Sequence, residues 1–117
     1  MKQVNILLLF FCTTAFISSC SMPGENSKQK TASPAAKKYT VEIVQMKFTP
    51  ADLNVSPGDT VMWINQDMVE HNITEEAKKE WSSGGLEPGK TWSIVLQKSA
   101  NYYCSIHPVM KGTVSVK

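Results

Sequence analysis

This chain of 117 residues contains no arginine, only two histidines and only three cysteines. Arginine is the side chain that proteins favour for bidentate contacts with phosphates and base edges, so its absence argues against nucleic acid as a partner. The charge is also nearly balanced, because without Lys2 the chain has 11 lysines against 10 acidic residues. No cluster of charged residues stands out as a catalytic site.

The sequence also lacks long apolar runs, apart from one at its start. After Lys2, this run extends from Ile6 to Ile17 with small polar interruptions and ends in Ser18-Ser19-Cys20. It is too short to span a membrane and is typical of a secretory signal. The cysteine at the cleavage point resembles the lipobox of bacterial lipoproteins, in which the cysteine is lipidated. The alternative is an ordinary signal with an incidental cysteine.

We therefore predict three segments: a lipoprotein signal peptide over residues 1–19, a lipidated Cys20 with a flexible tether over 20–38, and a folded domain over 39–117. The tether is polar, with almost nothing to bury. The last segment is large enough for one hydrophobic core and too small for two. The protein would be exported and lipid-anchored to a bacterial membrane, with its domain facing the periplasm or the cell exterior.

Short alternating segments separated by Pro-Gly turns fill residues 39–117, and they favour an all-β sandwich or barrel. The segment Thr60–Asn65 is apolar on both faces, which is typical of a central strand. We expect one helical turn over residues 75–80. Two further sets of residues are predicted to fill the core. They are the aromatic residues Phe48, Trp63, Trp92 and Tyr102, and the methionines Met46, Met62 and Met68.

Cys104 is the one cysteine left once Cys12 is removed with the signal and Cys20 carries lipid. An unpaired cysteine in an exported protein needs an explanation, and metal ligation gives one. The run Cys104-Ser-Ile-His107-Pro-Val-Met110 and the distant His71 supply a thiolate, two imidazoles and a thioether. This is the ligand set of a blue-copper electron-transfer site. Zinc is the alternative, although a structural zinc site usually has a second Cys or His in place of Met.

The spacing of these residues also fits a single site. Cys104 ends one predicted strand and Met110 precedes the last strand, so the loop between them brings its ligands to one point. Gly112 is expected to let the chain turn tightly into that last strand. His71 comes from a separate loop and closes the site between two sheets. With both histidines used, no second copper site and no enzymatic function are predicted.

Several short motifs in residues 40–117 match the pattern of one protein family. They are Phe48-Thr49-Pro50, residues 55–61, Trp63-Ile64-Asn65, His71-Asn72, Pro88-Gly89-Lys90, Tyr102 and residues 104–110. With these motifs the sequence resembles a cupredoxin of the plastocyanin and amicyanin type. The resemblance covers most of residues 40–117, and the short gap between His107 and Met110 is similar to that of amicyanin. It departs from the family pattern at Glu70, Ala100-Asn101 and Tyr103, none of which removes a ligand.

The resemblance implies a Greek-key β-sandwich of two sheets that holds one copper ion. His71, Cys104 and His107 would be the equatorial ligands and Met110 the axial ligand. Asn72 would help to tie the two ligand loops together.

The predicted function follows from the ligand set together with this resemblance, although the partners of the named families cannot be carried over. The protein would be a monomer that carries single electrons between membrane-associated or exported redox proteins, which dock near His107, Pro108 and Val109. The alternative is a lipoprotein that captures or delivers copper.

Overall fold

The computed structural model describes residues 34–117, and the secondary structure of these residues consists of β-strands. None of the described residues belongs to a helix that could cross a membrane. The eight strands are β1 (Lys38–Val44), β2 (Lys47–Thr49), β3 (Asp52–Val55), β4 (Thr60–Asn65), β5 (Thr74–Glu75), β6 (Thr91–Val95), β7 (Ala100–Tyr103) and β8 (Lys111–Val116).

The strands form two four-stranded mixed sheets, with the orders β2-β1-β4-β6 and β3-β8-β7-β5. In the first sheet β1 runs parallel to β4, and in the second β3 runs parallel to β8. The remaining neighbours are antiparallel. The chain crosses from the first sheet to the second between β4 and β5, and this crossing segment contains His71. The prediction of an all-β sandwich of two sheets is confirmed.

The alternation of apolar and polar residues places one face of each long strand in the core. Along β4, Val61 and Trp63 are fully buried while their neighbours are partly exposed, as a central strand requires. Trp63 packs against Tyr102 across the two sheets, with ring centroids 5.2 Å apart and an edge-to-face angle of 83°. Phe48 reaches Tyr102 from the side at 4.9 Å. These aromatic contacts join the two sheets, and such pairs add to the free energy gained by burial alone.

Two predictions about local structure are wrong. Residues 75–80 form no helical turn, because Glu75 pairs in β5 and its buried carboxylate accepts the amides of Ala77 and Lys78, both at 2.7 Å. These bonds give the two loop amides an acceptor, so the segment does not need helical hydrogen bonds. The prediction that the methionines are core is also wrong for two of them: Met46 is 39% and Met68 is 91% exposed, while Met62 is half-buried.

The described residues begin inside the predicted tether. β1 starts at Lys38, and Lys37 already bonds to the fold through Thr60 N–H, 2.8 Å, and the Asp59 carboxylate, 2.8 Å. Ordered pairing therefore begins two residues before residue 39. The predicted signal peptide 1–19 and the predicted lipidation site Cys20 lie outside the described residues.

Candidate metal centre

The loop that follows β7 is closed by its own backbone. Cys104 is the first residue after β7, and its amide donates to the carbonyl of Met110 at 3.1 Å. The amide of Met110 donates in turn to the carbonyl of His107 at 2.9 Å. Residues 104–110 therefore form a compact turn, and both of its ends are fixed to strands β7 and β8. Cys104 and Met110 are buried, whereas His107 is half-buried.

His71 is held from the other side, in the segment that crosses between the sheets. Its backbone forms an isolated bridge with Leu86, through bonds of 3.1 and 2.7 Å. The fully buried amide of Asn65 supports this segment, because its Nδ2 donates to the carbonyls of Val69 and Leu86, both at 2.8 Å. These bonds fix the backbone of His71, and its side chain is completely buried.

Three donor atoms from these two segments converge. The sulfur of Cys104 lies 3.8 Å from Nδ1 of His71 and 3.8 Å from Nδ1 of His107. The two Nδ1 atoms lie 3.2 Å apart, and the whole group fits within 4.8 Å. A metal at typical bond lengths of about 2.3 Å to sulfur and about 2.0 Å to nitrogen would separate trigonal ligand atoms by roughly 3.5–3.7 Å. The observed triangle is therefore the size of a metal-binding site.

The chemistry of the donors fits copper. A thiolate and a thioether suit the cuprous ion, and imidazole suits both oxidation states. Cys104 is the free cysteine of the described residues, and it is fully buried. The backbone amide of Asn72 donates to its sulfur at 3.4 Å. The buried Met110 lies in the same loop as Cys104 and His107.

Asn72 connects the two segments that carry the donor atoms. Its Nδ2 donates to Oγ of Ser105 at 2.6 Å, and its Oδ1 accepts the amide of Ser105 at 2.7 Å. Since Ser105 directly follows Cys104 and Asn72 directly follows His71, these two bonds fix the relative positions of the thiol and the first imidazole.

Asp67 contacts the His71 ring, although its position in the sequence did not single it out as part of the site. Its Oδ2 lies 3.0 Å from Nε2 of the His71 ring, which leaves Nδ1 to face Cys104. Partial desolvation raises the pKa of Asp67, but the amides of Met46 and Gln45 and the ring of His71 outweigh it and hold that pKa below its ordinary value. The only sequence signal was a carboxylate four residues before the histidine, which is weak because loops are rich in aspartate.

Comparison with known proteins identifies the family. A family model for copper binding proteins of the plastocyanin/azurin family matches residues 35–117. The chain belongs to this family. Amicyanin from Paracoccus denitrificans is 29% identical over 118 residues, which cover 96% of this chain and 89% of that protein. The predicted resemblance to an amicyanin-type cupredoxin is therefore confirmed.

Solved structures give the same result for the fold. A Cu(I) structure of an amicyanin mutant has a TM-score of 0.62 and 30% identity, with 68% of this chain and 82% of that chain covered. A copper-containing nitrite reductase from Thermus scotoductus reaches a TM-score of 0.63 and 28% identity, but this chain covers only 22% of it. The protein is a cupredoxin, a type 1 copper protein that binds one copper ion and carries electrons.

Proposed function

We propose that this cupredoxin shuttles single electrons between exported or membrane-associated redox proteins, with its copper ion bound by His71, Cys104, His107 and Met110. The observation that carries this proposal is the triangle of sulfur and two Nδ1 atoms, with sides of 3.8, 3.8 and 3.2 Å, at one end of the sandwich. Met110 is included because it is buried, ends the same loop and has a thioether that suits Cu(I).

Copper, when bound, supplies a one-electron couple between Cu(I) and Cu(II). The protein's own residues hold the ligand atoms in place for both states. The sulfur of Cys104 accepts a hydrogen bond from the backbone amide of Asn72. The side chain of Asn72 makes two hydrogen bonds to Ser105. Because His71, Cys104 and Met110 are buried, water has little access. A site with four protein ligands also leaves no position for a substrate, so we propose that the protein is not an enzyme.

The edge of the site at His107 is the proposed port for electrons. His107 is the half-buried member of the set, and its neighbours on the surface are apolar. Ile106 directly precedes His107 and is 46% exposed. Pro108 and Val109 directly follow His107, and Val109 is 90% exposed. Exposed apolar patches of this kind mark interaction sites. The proposed partners are therefore a redox donor and a redox acceptor, which dock in turn near His107, Pro108 and Val109. We propose that the protein is a monomer.

Capture or delivery of copper remains the second candidate, and the burial of the donors counts against it. Proteins that exchange a metal readily need ligands that an incoming chelator can reach. Here His71 and Cys104 have no exposed surface. Slow copper loss to a chelator together with fast, reversible reduction would support electron transfer, whereas rapid exchange would support delivery.

We further propose that lipid on Cys20 holds the protein to a bacterial membrane. The support is the sequence pattern: a short apolar run that ends in Ser18-Ser19-Cys20, followed by a polar segment. Expression of Cys20→Ser beside the unchanged chain tests it. We expect the unchanged protein in the membrane fraction and the variant in the soluble fraction. Equal membrane association of the two would contradict lipidation.

The experiment that tests the copper site is a visible absorption spectrum of the purified protein after addition of Cu(II). We expect an intense blue thiolate-to-copper band that bleaches on reduction and is absent in Cys104→Ala. Ser115→Ala is the control, since Ser115 lies in β8 outside the ligand loop 104–110 and the change keeps the sulfur. No blue band in the unchanged protein, or colourless binding of zinc in preference to copper, would contradict the proposed function.

A further inference from the structure

Asp67 joins the buried imidazole of His71 to a distant hairpin turn. One oxygen of its carboxylate accepts the amide of Gln45 at 2.6 Å. The other accepts the amide of Met46 at 2.8 Å and lies 3.0 Å from Nε2 of His71. The side chain of Asp67 is only 14% exposed, and that of His71 is fully buried. Three donors thus converge on one shielded carboxylate.

The turn that Asp67 holds is conformationally demanding. Gln45 and Met46 are the two central residues between β1 and β2, and their φ angles are +52° and +59°. Two positive φ angles are the mark of a type I′ turn, which favours Asn-Gly at these positions. Neither residue is glycine, so both sit in a region that side chains disfavour. The Asp67 carboxylate offsets this cost by accepting both amides.

We propose that Asp67 is a positioning residue for the copper centre, which orients the His71 ring and stabilises the oxidised ion relative to the reduced one. The proposal rests on the proposed function, because it takes His71 as a copper ligand. A carboxylate that accepts the distal N–H of a metal-bound histidine fixes the ring's tautomer and raises its basicity. It also places a negative charge near the metal, where burial limits screening by salt.

The sign of the effect on the potential follows directly. A more basic imidazole and a nearby negative charge stabilise Cu(II) more than Cu(I), because the oxidised ion carries the higher charge. Removal of the charge by Asp67→Asn therefore weakens the binding of Cu(II) more than that of Cu(I). The reduction potential of the variant should rise.

Two other side chains allow the contact of Asp67 with the His71 ring to be distinguished from general support of the backbone. Asn65 also supports the His71 segment, through the carbonyls of Val69 and Leu86, yet its side-chain bonds go to backbone and not to the ring. Asp59 provides a second comparison, since its carboxylate accepts the amides of Lys37 and Ser56, both at 2.8 Å. Asp59 thus performs the same backbone chemistry as Asp67 without contacting a proposed ligand.

The experiment compares Asp67→Asn with the unchanged protein, both loaded with copper. We expect the blue band to persist, Cu(II) affinity to fall about 10- to 100-fold, and Cu(I) affinity to fall less. A tenfold difference between the two losses raises the potential by about 59 mV. Redox titration gives the potential, competition with chelators gives the two affinities, and electron paramagnetic resonance reports any change in the copper geometry.

Two further variants isolate the ring contact from the turn. Asp59→Asn is the matched control and should lower stability while the potential stays unchanged. The triple variant Asp67→Asn, Gln45→Asn and Met46→Gly gives the turn its preferred Asn-Gly sequence. It should recover the stability that Asp67→Asn loses, and it should keep the raised potential. It also serves as the test molecule if the single variant folds poorly.

The outcomes distinguish a failure of the positioning role of Asp67 from a failure of the proposed copper function. A raised potential in both Asp67 variants, absent in Asp59→Asn, supports the positioning role. An unchanged potential in Asp67→Asn overturns it, and so does a normal potential in the triple variant, since the effect would then come from the turn alone. A blue band missing from the unchanged protein would instead overturn the proposed function.

Discussion

The side chain of Asn72 makes two hydrogen bonds to Ser105, 33 positions away in the sequence: Nδ2 donates to Oγ of Ser105 at 2.6 Å, and Oδ1 accepts the backbone amide of Ser105 at 2.7 Å. Each residue directly follows one of the two buried donors, His71 and Cys104. The pair therefore acts as a clamp between the crossing segment and the loop after β7. Its position explains how two separate pieces of chain hold a metal-sized triangle.

Asn72→Ala should loosen this clamp. The Ser105 amide loses its acceptor, and we expect a loss of about 1–3 kcal/mol in the free energy of unfolding. Copper affinity should fall about tenfold or more, because the thiol is less well placed. Urea unfolding and copper competition measure the two effects. Asn54→Ala, on the exposed part of edge strand β3, is the control. Copper affinity equal to that of the control would argue against the clamp.

Gly112→Ala should destabilise the sandwich, although a glycine in the interior of a strand usually weakens that strand. Gly112 is buried within β8, and a Cβ there would overlap Cζ and the hydroxyl oxygen of Tyr102. Tyr102 is fully buried between Phe48 and Trp63, so its ring has little room to move. We expect a cost of about 1–3 kcal/mol or more, measured by urea unfolding.

The control for this prediction is Ser115→Ala in the same strand, at a half-buried position. It removes a hydroxyl and adds no atom against the aromatic core. If Gly112→Ala unfolded at the same urea concentration as this control, the close contact between Gly112 and the Tyr102 ring would have no energetic weight.

Glu75 should make the protein sensitive to acid. The amide of Lys78 is the main cause that lowers the pKa of Glu75 below its ordinary value of 4.5, and desolvation opposes it only in part. A group whose pKa is lower in the folded state contributes stability above its unfolded pKa and loses it as the pH falls through the folded pKa. The stability of the unchanged protein should therefore fall from about pH 4.5 downward.

Glu75→Gln tests this dependence. We expect the variant to be less stable than the unchanged protein at neutral pH and to lose less stability below pH 4.5. Urea unfolding at a series of pH values measures both effects. Glu87→Gln changes an exposed carboxylate and serves as the control. A decline as steep in Glu75→Gln as in the unchanged protein would show that other carboxylates govern acid unfolding.

Val109→Lys should slow electron exchange between two copies of the protein, which approach each other through the proposed port beside His107. Val109 is 90% exposed, so the change should leave folding intact, but it would set like charges against each other as two ports meet. We expect the self-exchange rate, measured by NMR line broadening, to fall about tenfold or more at low salt and to recover partly as salt is added.

Val95→Lys is the matched control, because Val95 is also an exposed valine, at 53%, on edge strand β6. It adds the same charge at a residue away from the proposed port in sequence. A similar decrease in both variants would indicate that net charge, rather than the edge at His107, governs the exchange.

Several features of the fold followed from local patterns in the sequence. Strand β4 was predicted as a central strand because Thr60–Asn65 is apolar on both faces, and it lies between β1 and β6. The chemistry of the site was also local information, since the types of side chain in residues 104–110 already indicate copper. Gly112 was predicted to serve a turn, but it lies within β8 and leaves room for Tyr102 instead. Only the packed structure shows that neighbour.

What the sequence determined by itself is therefore the set of candidate ligands, the thiol of Cys104, two imidazoles and the thioether of Met110, on a chain of short alternating strands. What the tertiary structure decided is which distant residues support them. Asp67 reaches a turn 21 and 22 positions away, and Asn72 reaches a loop 33 positions away. Short-range patterns report which face of a strand is buried. The partners of a polar side chain depend on how the two sheets close, which no local pattern encodes.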